Sequence, residues 1–186
     1  MPSKTGTPST PKPWTPFVSH NQRCWLVGYN PGIRSFETQS FYAHPTNRFW
    51  KLLFESGLVP ELIEPQNYRI VQTYDIVMID LSMRPTVSGS ELTKSEMEQG
   101  RLRILMLVRE LQPKWLAANG LGIARVLMNN DSLKEYGDAG TFAGTATRLW
   151  VLPSSSGRAG SRNGAGITYE DKLKEWKKLQ RVLSKG

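Results

Sequence analysis

Two polar residues, Asn30 and Asp80, each follow an apolar run that is typical of a buried strand. Asn30 comes after "CWLVGY" and opens "NPG", whereas Asp80 comes after "YDIVMI". A carboxylate at the end of a buried strand is costly unless it is paired or faces a cleft. Desolvation would raise its basicity, which makes Asp80 a candidate general base or water-binding group. A local cap or an ion pair with Arg84 is the alternative interpretation.

Asn30 also begins a long connection, residues 30–45, between the first strand and the first predicted helix. Asn-Pro-Gly is ordinary turn chemistry, and Gly32 lets another group approach the backbone closely. The connection carries Phe41, Tyr42 and further aromatic residues, which a solvated turn does not need. Long ordered loops are often functional. A plain turn and a binding loop both remain open at this point.

Two other connections are rich in small residues. The first, "NGLG", begins an incomplete dinucleotide-binding pattern, "GLGIAR", which lacks its final glycine and is a weak signal. The second, "PSSSGRAGSRNGAG", offers backbone amides, serine hydroxyls and two arginines, Arg158 and Arg162. These groups suit phosphate oxygens or a groove of nucleic acid. A flexible linker is the alternative interpretation of the same composition.

These four connections are positioned by a predicted alternation of apolar strands and helices. Strands are predicted over 24–29, 74–81, 114–120 and 148–153, and helices over 47–57, 93–112, 123–128 and 168–184. Asn47 should cap the first helix, and Thr93 and Glu96 should form a capping box on the second. In the last helix, Leu173, Trp176 and Leu183 should face inward, with Lys172, Lys174, Lys177, Lys178 and Arg181 mostly outward.

Strands without polar alternation, separated by helices, indicate a sheet that is covered on both faces. The pattern therefore predicts the α/β class, as a three-layer α/β/α sandwich with a short, mainly parallel central sheet. In such folds the ligand site lies at the carboxyl ends of the strands. The connections after the four predicted strands should consequently meet at one edge of the sheet.

Charge and composition restrict the function classes. The 186 residues carry a formal net charge of +8, which favours a polyanionic partner, nucleic acid first and an anionic membrane second. No apolar stretch is long enough to span a membrane, and no signal peptide is evident, so we expect an intracellular protein, in the cytoplasm (the nucleoid, if bacterial) or the nucleus. Cys24, a single cysteine, suits a reducing compartment.

The same composition predicts how the chain is divided. Residues 1–20 contain five prolines among Ser, Thr and Lys, so we expect a disordered basic tail before a single domain over 21–186. One cysteine and two histidines exclude an iron–sulfur cluster and argue against structural zinc. We therefore expect no metal and no cofactor.

Four motifs taken together resemble the uracil-DNA glycosylase superfamily, and within it the mismatch-specific uracil/thymine-DNA glycosylase group. They are "GYNPG", "FYAHPTNRFWKLLFESGL", "MRPT" and "LPSSSGRAG", in this order, and the likeness runs from Trp25 to the last helix. The resemblance implies a monomeric three-layer domain that hydrolyses the N-glycosidic bond of uracil opposite guanine in duplex DNA, with thymine and other 5-substituted uracils as further substrates. The base must leave the stack first, and an abasic site remains.

The resemblance also implies roles for the first motifs. Tyr42 would stack on the pyrimidine, and backbone groups around Gly28, Tyr29 and Tyr42 would bind its polar edge. Gly32 stands where strict uracil enzymes carry a bulky tyrosine, which implies a wider pocket. Ser154 stands where those enzymes place a histidine that stabilises the departing base, which implies a slower enzyme.

In the last motif, the resemblance implies an insertion loop that contacts DNA. Arg158 would be the wedge that enters the gap left by the base, since an arginine can both stack and reach phosphate. Backbone groups of Gly157 and Ala159 would meet the orphaned guanine. Ser154 and Ser156 would hold backbone phosphates, and Ser155, which lies between them, would also contact DNA.

Asn30 stands where strict uracil enzymes carry an aspartate. Its amide can orient water through the carbonyl oxygen but cannot usefully accept a proton. Asp80 departs from the group, where this position is usually neutral or basic. We therefore hypothesise that Asp80 supplies the carboxylate that Asn30 lacks. The alternatives are a single-strand-tolerant uracil-DNA glycosylase, a nucleotide-binding α/β protein using "NGLG", and a non-enzymatic DNA-binding module using the basic last helix and the segment "PSSSGRAGSRNGAG".

Overall fold

The computed structural model describes residues 18, 20–157 and 166–185 of the chain. The predicted tail, residues 1–20, lies outside these ranges except for residues 18 and 20. The strands are β1 (Cys24–Gly28), β2 (Ile76–Asp80), β3 (Trp115–Asn119), β4 (Gly137–Thr141) and β5 (Arg148–Leu152). The helices are α1 (Ile33–Glu37), α2 (Phe49–Glu55), α3 (Lys94–Leu111), α4 (Leu121–Met128) and α5 (Tyr169–Leu183), with 3-10 helices at Pro65–Tyr74 and Gly89–Glu91.

The strands form one sheet in the order β2-β1-β3-β5-β4. The four predicted strands are all present and pair in parallel. The fifth strand, β4, pairs antiparallel with β5 at the edge and was not predicted. Its sequence, Gly-Asp-Ala-Gly-Thr, is poor in residues that favour strands. Only its pairing with β5 makes this segment a strand.

Alternate residues of each parallel strand face opposite layers of helices. In β1, Cys24 and Leu26 belong to a core shared with α2 and α5. Trp25 and Val27 belong to a second core shared with α3 and α4. The burial of both strand faces explains the unalternated apolar runs. The predicted α/β sandwich with a mainly parallel central sheet is confirmed.

The helix ends follow the local sequence. Thr93 accepts a hydrogen bond from the Glu96 amide and Glu96 accepts one from the Thr93 amide, so the predicted capping box is confirmed. The first predicted helix is α2, which begins at Phe49. Its N-cap is Arg48 rather than the predicted Asn47, which lies one residue earlier and accepts from the Phe49 amide through Oδ1 at 3.0 Å. The short helix α1 was missed because five residues are too few to show a periodic pattern. No helix in the described ranges is long and apolar enough to cross a membrane.

Gly100 brings α3 against the end of β2. An ideal Cβ at this position would lie 2.0 Å from the backbone oxygen of Leu81. Alanine normally stabilises an exposed helical site by about 1 kcal/mol relative to glycine. Here we expect Gly100→Ala to lower the free energy of unfolding by about 1–3 kcal/mol, because the helix must move away from the strand. Urea titration measures it, with exposed Gln99→Ala as the control, and a stabilised Gly100→Ala would contradict the packing argument.

Candidate active site

A cavity of about 900 Å³ opens at the carboxyl ends of the parallel strands. Gly28, Asp80 and Asn119 end β1, β2 and β3 respectively and all line it. Residues 154–157, which follow β5, line the cavity as well. The predicted connections therefore meet at one edge of the sheet, as the strand pattern indicated.

The cavity collects every predicted site residue that lies in the described ranges. They are Gly28, Tyr29, Asn30, Gly32, Tyr42, Asp80, Ser154, Ser155, Ser156 and Gly157. The two remaining predicted site residues, Arg158 and Ala159, lie outside the described residues.

Asp80 sits at the floor of the cavity and is only 4% exposed. Its Cα pairs in register with that of Gly28 on the neighbouring strand. An ideal Cβ on Gly28 would lie 2.2 Å from Asp80 Oδ1, so the carboxylate occupies the space that a side chain would need. Burial raises the pKa of Asp80 to about 7, and the positive charge of Arg103 opposes this rise. The group is thus poised to exchange a proton near neutral pH.

The alternative interpretation of Asp80, an ion pair with Arg84, is wrong. Arg84 Nε instead pairs with Glu96 at 2.5 Å, and its Nη2 donates to the Glu91 backbone oxygen. Arg103 donates to the backbone oxygen of Asp80 rather than to its carboxylate. Within the described part of the chain, no ion pair therefore neutralises the Asp80 carboxylate.

The Asn30 amide is held by its nitrogen. Asn30 Nδ2 donates to the Arg84 backbone oxygen at 2.7 Å, to Thr86 Oγ1 at 2.7 Å and to the Pro31 backbone oxygen at 3.2 Å. Thr86 Oγ1 itself donates to the Ser88 backbone oxygen, so it must accept from Asn30. These acceptors fix the amide with its nitrogen toward the segment 84–88. The carbonyl oxygen is left as the group that can bind water.

Tyr42 has a strained backbone and a stacked ring. Its φ is +53°, in the left-handed region that bulky residues avoid, at a cost of about 1–3 kcal/mol. The ring stacks on Phe49 with centroids 3.7 Å apart and an interplanar angle of 13°. Burial raises the pKa of the Tyr42 hydroxyl, the Asp80 charge raises it further, and the Asn119 amide partly offsets both. The ring thus forms a rigid aromatic wall of the cavity.

Asn119 connects the floor of the cavity to the segment after β5. Its Nδ2 donates to Ser155 Oγ at 2.9 Å, and its Oδ1 accepts from the Ser155 amide at 2.9 Å. Ser155 is fully buried, and its backbone oxygen accepts from the Arg48 amide. The Ser155 side chain is therefore directed to Asn119, while Ser154 and Ser156 remain partly accessible. Sequence reasoning had missed Asn119, although its place at the end of a predicted strand was a usable signal.

Ser156 and Gly157 are held from both sides. Lys172 Nζ donates to the Ser156 backbone oxygen at 3.2 Å. The prediction that Lys172 points outward is wrong, because it is only 5% exposed, and burial and then the charge of Arg48 lower its pKa. An ideal Cβ on Gly157 would lie 2.9 Å from the Thr46 backbone oxygen. The start of the predicted insertion loop is thus packed against the connection after β1.

Two features of the cavity wall were not predicted. First, the cavity is lined by residues 86–88, which lie between Arg84 and α3. Thr86 in this segment forms an isolated parallel β-bridge with Gly32. The Tyr29 hydroxyl lies 1.8 Å from where a Gly122 Cβ would stand. The glycine in "GLGIAR" therefore makes room for Tyr29. This packing removes the reason to interpret it as a nucleotide-binding turn.

The fold and the site define an α/β protein with a ligand cavity at the carboxyl ends of its parallel strands, containing an aromatic wall, a tied amide and a buried carboxylate. The model of the uracil DNA glycosylase superfamily matches residues 15–180. The chain therefore belongs to the uracil DNA glycosylase superfamily. Members of this superfamily are DNA glycosylases, hydrolases that act on DNA, and the activity of this chain is of that type.

Proposed function

We propose that this protein is a monofunctional, mismatch-specific uracil-DNA glycosylase that acts as a monomer, with residues 21–186 as its catalytic domain. Its substrates are uracil, thymine and other 5-substituted uracils opposite guanine in duplex DNA. One observation carries the proposal: Asn30 and Asp80 line the same cavity, with the amide nitrogen fixed by acceptors and the carboxylate at a pKa of about 7.

The chemistry follows from these groups. The flipped base enters the cavity and stacks on Tyr42, while backbone amides near Tyr29 and Tyr42 bind its polar edge and stabilise the departing anion. The glycosidic bond breaks through an oxocarbenium-like state. Asn30 Oδ1 orients a water molecule and Asp80 accepts its proton as the water attacks the sugar carbon. Without a histidine at Ser154, the leaving base receives less help, which gives a slow enzyme.

The segment after β5 supplies the DNA contacts in this proposal. Ser154 and Ser156 hold phosphates, and the backbone of Gly157 and Ala159 faces the guanine. Arg158 fills the gap in the stack. Ser155 acts indirectly, because its bonds to Asn119 hold the start of this segment over the cavity.

The direct test is base release from matched duplexes that contain U·G, U·A or T·G, and from single-stranded uracil. We expect release that is fastest for U·G, with strand cleavage only after alkali, because the product is an abasic site. Equal release from single strands would favour the single-strand-tolerant type. Salt-sensitive binding without any abasic product would identify a non-enzymatic DNA-binding module.

Gly32 should set the width of the pocket. Apart from Gly32 and its two chain neighbours, no atom of the described residues lies within 4 Å of an ideal Cβ at this position, and its φ of −66° suits any residue. We expect Gly32→Tyr to fold normally, to keep U·G activity within about threefold, and to slow T·G and 5-bromouracil release by at least about tenfold, because the ring fills space beside the 5-position. Single-turnover assays measure the ratio, with Gly32→Ala as the control. An unchanged ratio of U·G to T·G rates would contradict the assignment.

A further inference from the structure

The Tyr42 hydroxyl is a buried polar group that the stacking role does not use. Its oxygen is shielded from solvent and makes no hydrogen bond of ordinary geometry with any residue that the structure describes. Native proteins pair nearly all such groups, so an exception calls for a specific explanation. A phenylalanine would stack on Phe49 and on a flipped base equally well.

The hydroxyl and the Asp80 carboxylate face one point above Gly28. An ideal Cβ on Gly28 would lie 3.0 Å from Tyr42 Oη and 2.2 Å from Asp80 Oδ1. The missing side chain of Gly28 is therefore what allows the two groups to approach each other. The left-handed backbone of Tyr42 and its stacked ring hold the hydroxyl in this direction.

We propose that the Tyr42 hydroxyl is a positioning group for Asp80, donating a hydrogen bond to the charged carboxylate so that its other oxygen faces the attacking water. This inference rests on the proposed function, in which Asp80 accepts the proton of that water. Bonds of this kind are often long in free enzymes and shorten in the substrate complex. A donor to the charged form also makes the carboxyl a stronger acid.

The other groups around Asp80 do not fill this role. From α3, Arg103 reaches only the backbone oxygen of Asp80, and from β1, Gly28 has no side chain. From β3, Asn119 is neutral, and its amide is engaged with Ser155 and with the Tyr42 hydroxyl, whose pKa it lowers. Tyr42, from the segment before α2, is the remaining donor among the described residues that line the floor.

The test is Tyr42→Phe, which keeps the ring and removes the donor, with exposed Tyr136→Phe as the matched control. We expect Asp80 to become about a tenfold weaker acid, measured by carboxyl carbon NMR titration with Asp80→Asn to assign the resonance. Uracil release should be about tenfold slower below pH 7 and should recover at higher pH. Thermal stability of Tyr42→Phe should match that of the unaltered protein at pH 5, where Asp80 is protonated, and should be lower at pH 8, where the bond to the charged carboxylate is lost.

An Asp80 titration and a pH profile that are unchanged in Tyr42→Phe would overturn the inference, whatever the absolute rate. So would a Tyr42→Phe effect that persists in full in an Asp80→Asn background, since the two changes should not add if Tyr42 acts through Asp80. Failure of the proposed function looks different: the unaltered protein releases no base, or Asp80→Asn releases it at the normal rate. The NMR titration still decides the Tyr42 contact in both cases.

Discussion

Replacing Asp80 by asparagine should slow uracil release from a U·G duplex by about 10²–10⁴-fold, the range that a positioned general base contributes. The substitution keeps the shape of a side chain that is 4% exposed and removes only its ability to accept a proton. Single-turnover rates measure the chemical step without product release. Asp75→Asn is the matched control, because Asp75 is exposed and precedes the same strand, β2.

The pH dependence sharpens this prediction. With the pKa of Asp80 raised by burial to about 7, the active carboxylate forms as pH rises through 7. The unaltered rate should therefore climb about tenfold per pH unit below 7 and level off above it. Asp80→Asn should show no such rise. A normal rate in Asp80→Asn, or the same pH profile in both proteins, would exclude Asp80 as the base.

The same carboxyl should cost stability at alkaline pH. Its pKa in the folded protein, about 7, lies above the ordinary value near 4, so the folded state binds this proton more tightly than the unfolded chain. The stability linked to it is complete below about pH 4 and is lost as pH rises through 7, by up to about 4 kcal/mol. Asp80→Asn should thus melt at a higher temperature than the unaltered protein at pH 8, with a smaller difference at pH 5.

Exchanging Asn30 for the aspartate of strict uracil enzymes should damage this protein. Asn30 Nδ2 donates to two backbone carbonyl oxygens, those of Arg84 and Pro31. In Asn30→Asp, a carboxylate oxygen would face those same acceptors, and each lost bond with a repelled partner costs about 1–3 kcal/mol. We expect lower thermal stability and a rate on the order of 100-fold below normal, because the water-binding oxygen is displaced.

Two further variants, Asn30→Ala and the control Asn130→Ala, separate the loss of the Asn30 oxygen from a general effect of losing an amide. Asn30→Ala removes the water-binding carbonyl without placing charge against the carbonyl oxygens, so it should lose a similar factor in rate but less stability than Asn30→Asp. Asn130→Ala removes an exposed amide whose oxygen accepts from the Ser132 amide away from the cavity, and it should leave the rate near normal. If Asn30→Asp were faster than the unaltered enzyme, the orientation of the amide deduced from Thr86 and Arg84 would be wrong.

Local sequence patterns were sufficient for most of the fold. The four parallel strands, the Thr93 capping box and the end of α3 before Pro113 all depend on near neighbours in the chain or on the apolar content of a short run. The edge strand β4 was missed for the opposite reason. Its glycines and aspartate do not favour a strand, and it is ordered by hydrogen bonds to β5.

The sequence also predicted part of the candidate site, namely which residues it contains. Motif order and strand ends alone placed Asn30, Asp80, Tyr42 and the serines after β5 at one edge of the sheet. The partners of these residues depended on tertiary structure. Arg84 pairs with Glu96 rather than Asp80, and Lys172 turns inward to Ser156.

Residue types and their order thus determined which chemical groups this protein brings to its cavity, because strand and turn formation are local. The tertiary structure alone decided which way these side chains point and at which pH the carboxyl group loses its proton. Asn30 presents its oxygen because acceptors from 54 and 56 residues away hold its nitrogen. Asp80 holds its proton to about pH 7 because the assembled layers exclude water from it and no described cation bonds its carboxylate. Desolvation and pairing are properties of the packed interior, so they depend on contacts that sequence spacing does not reveal.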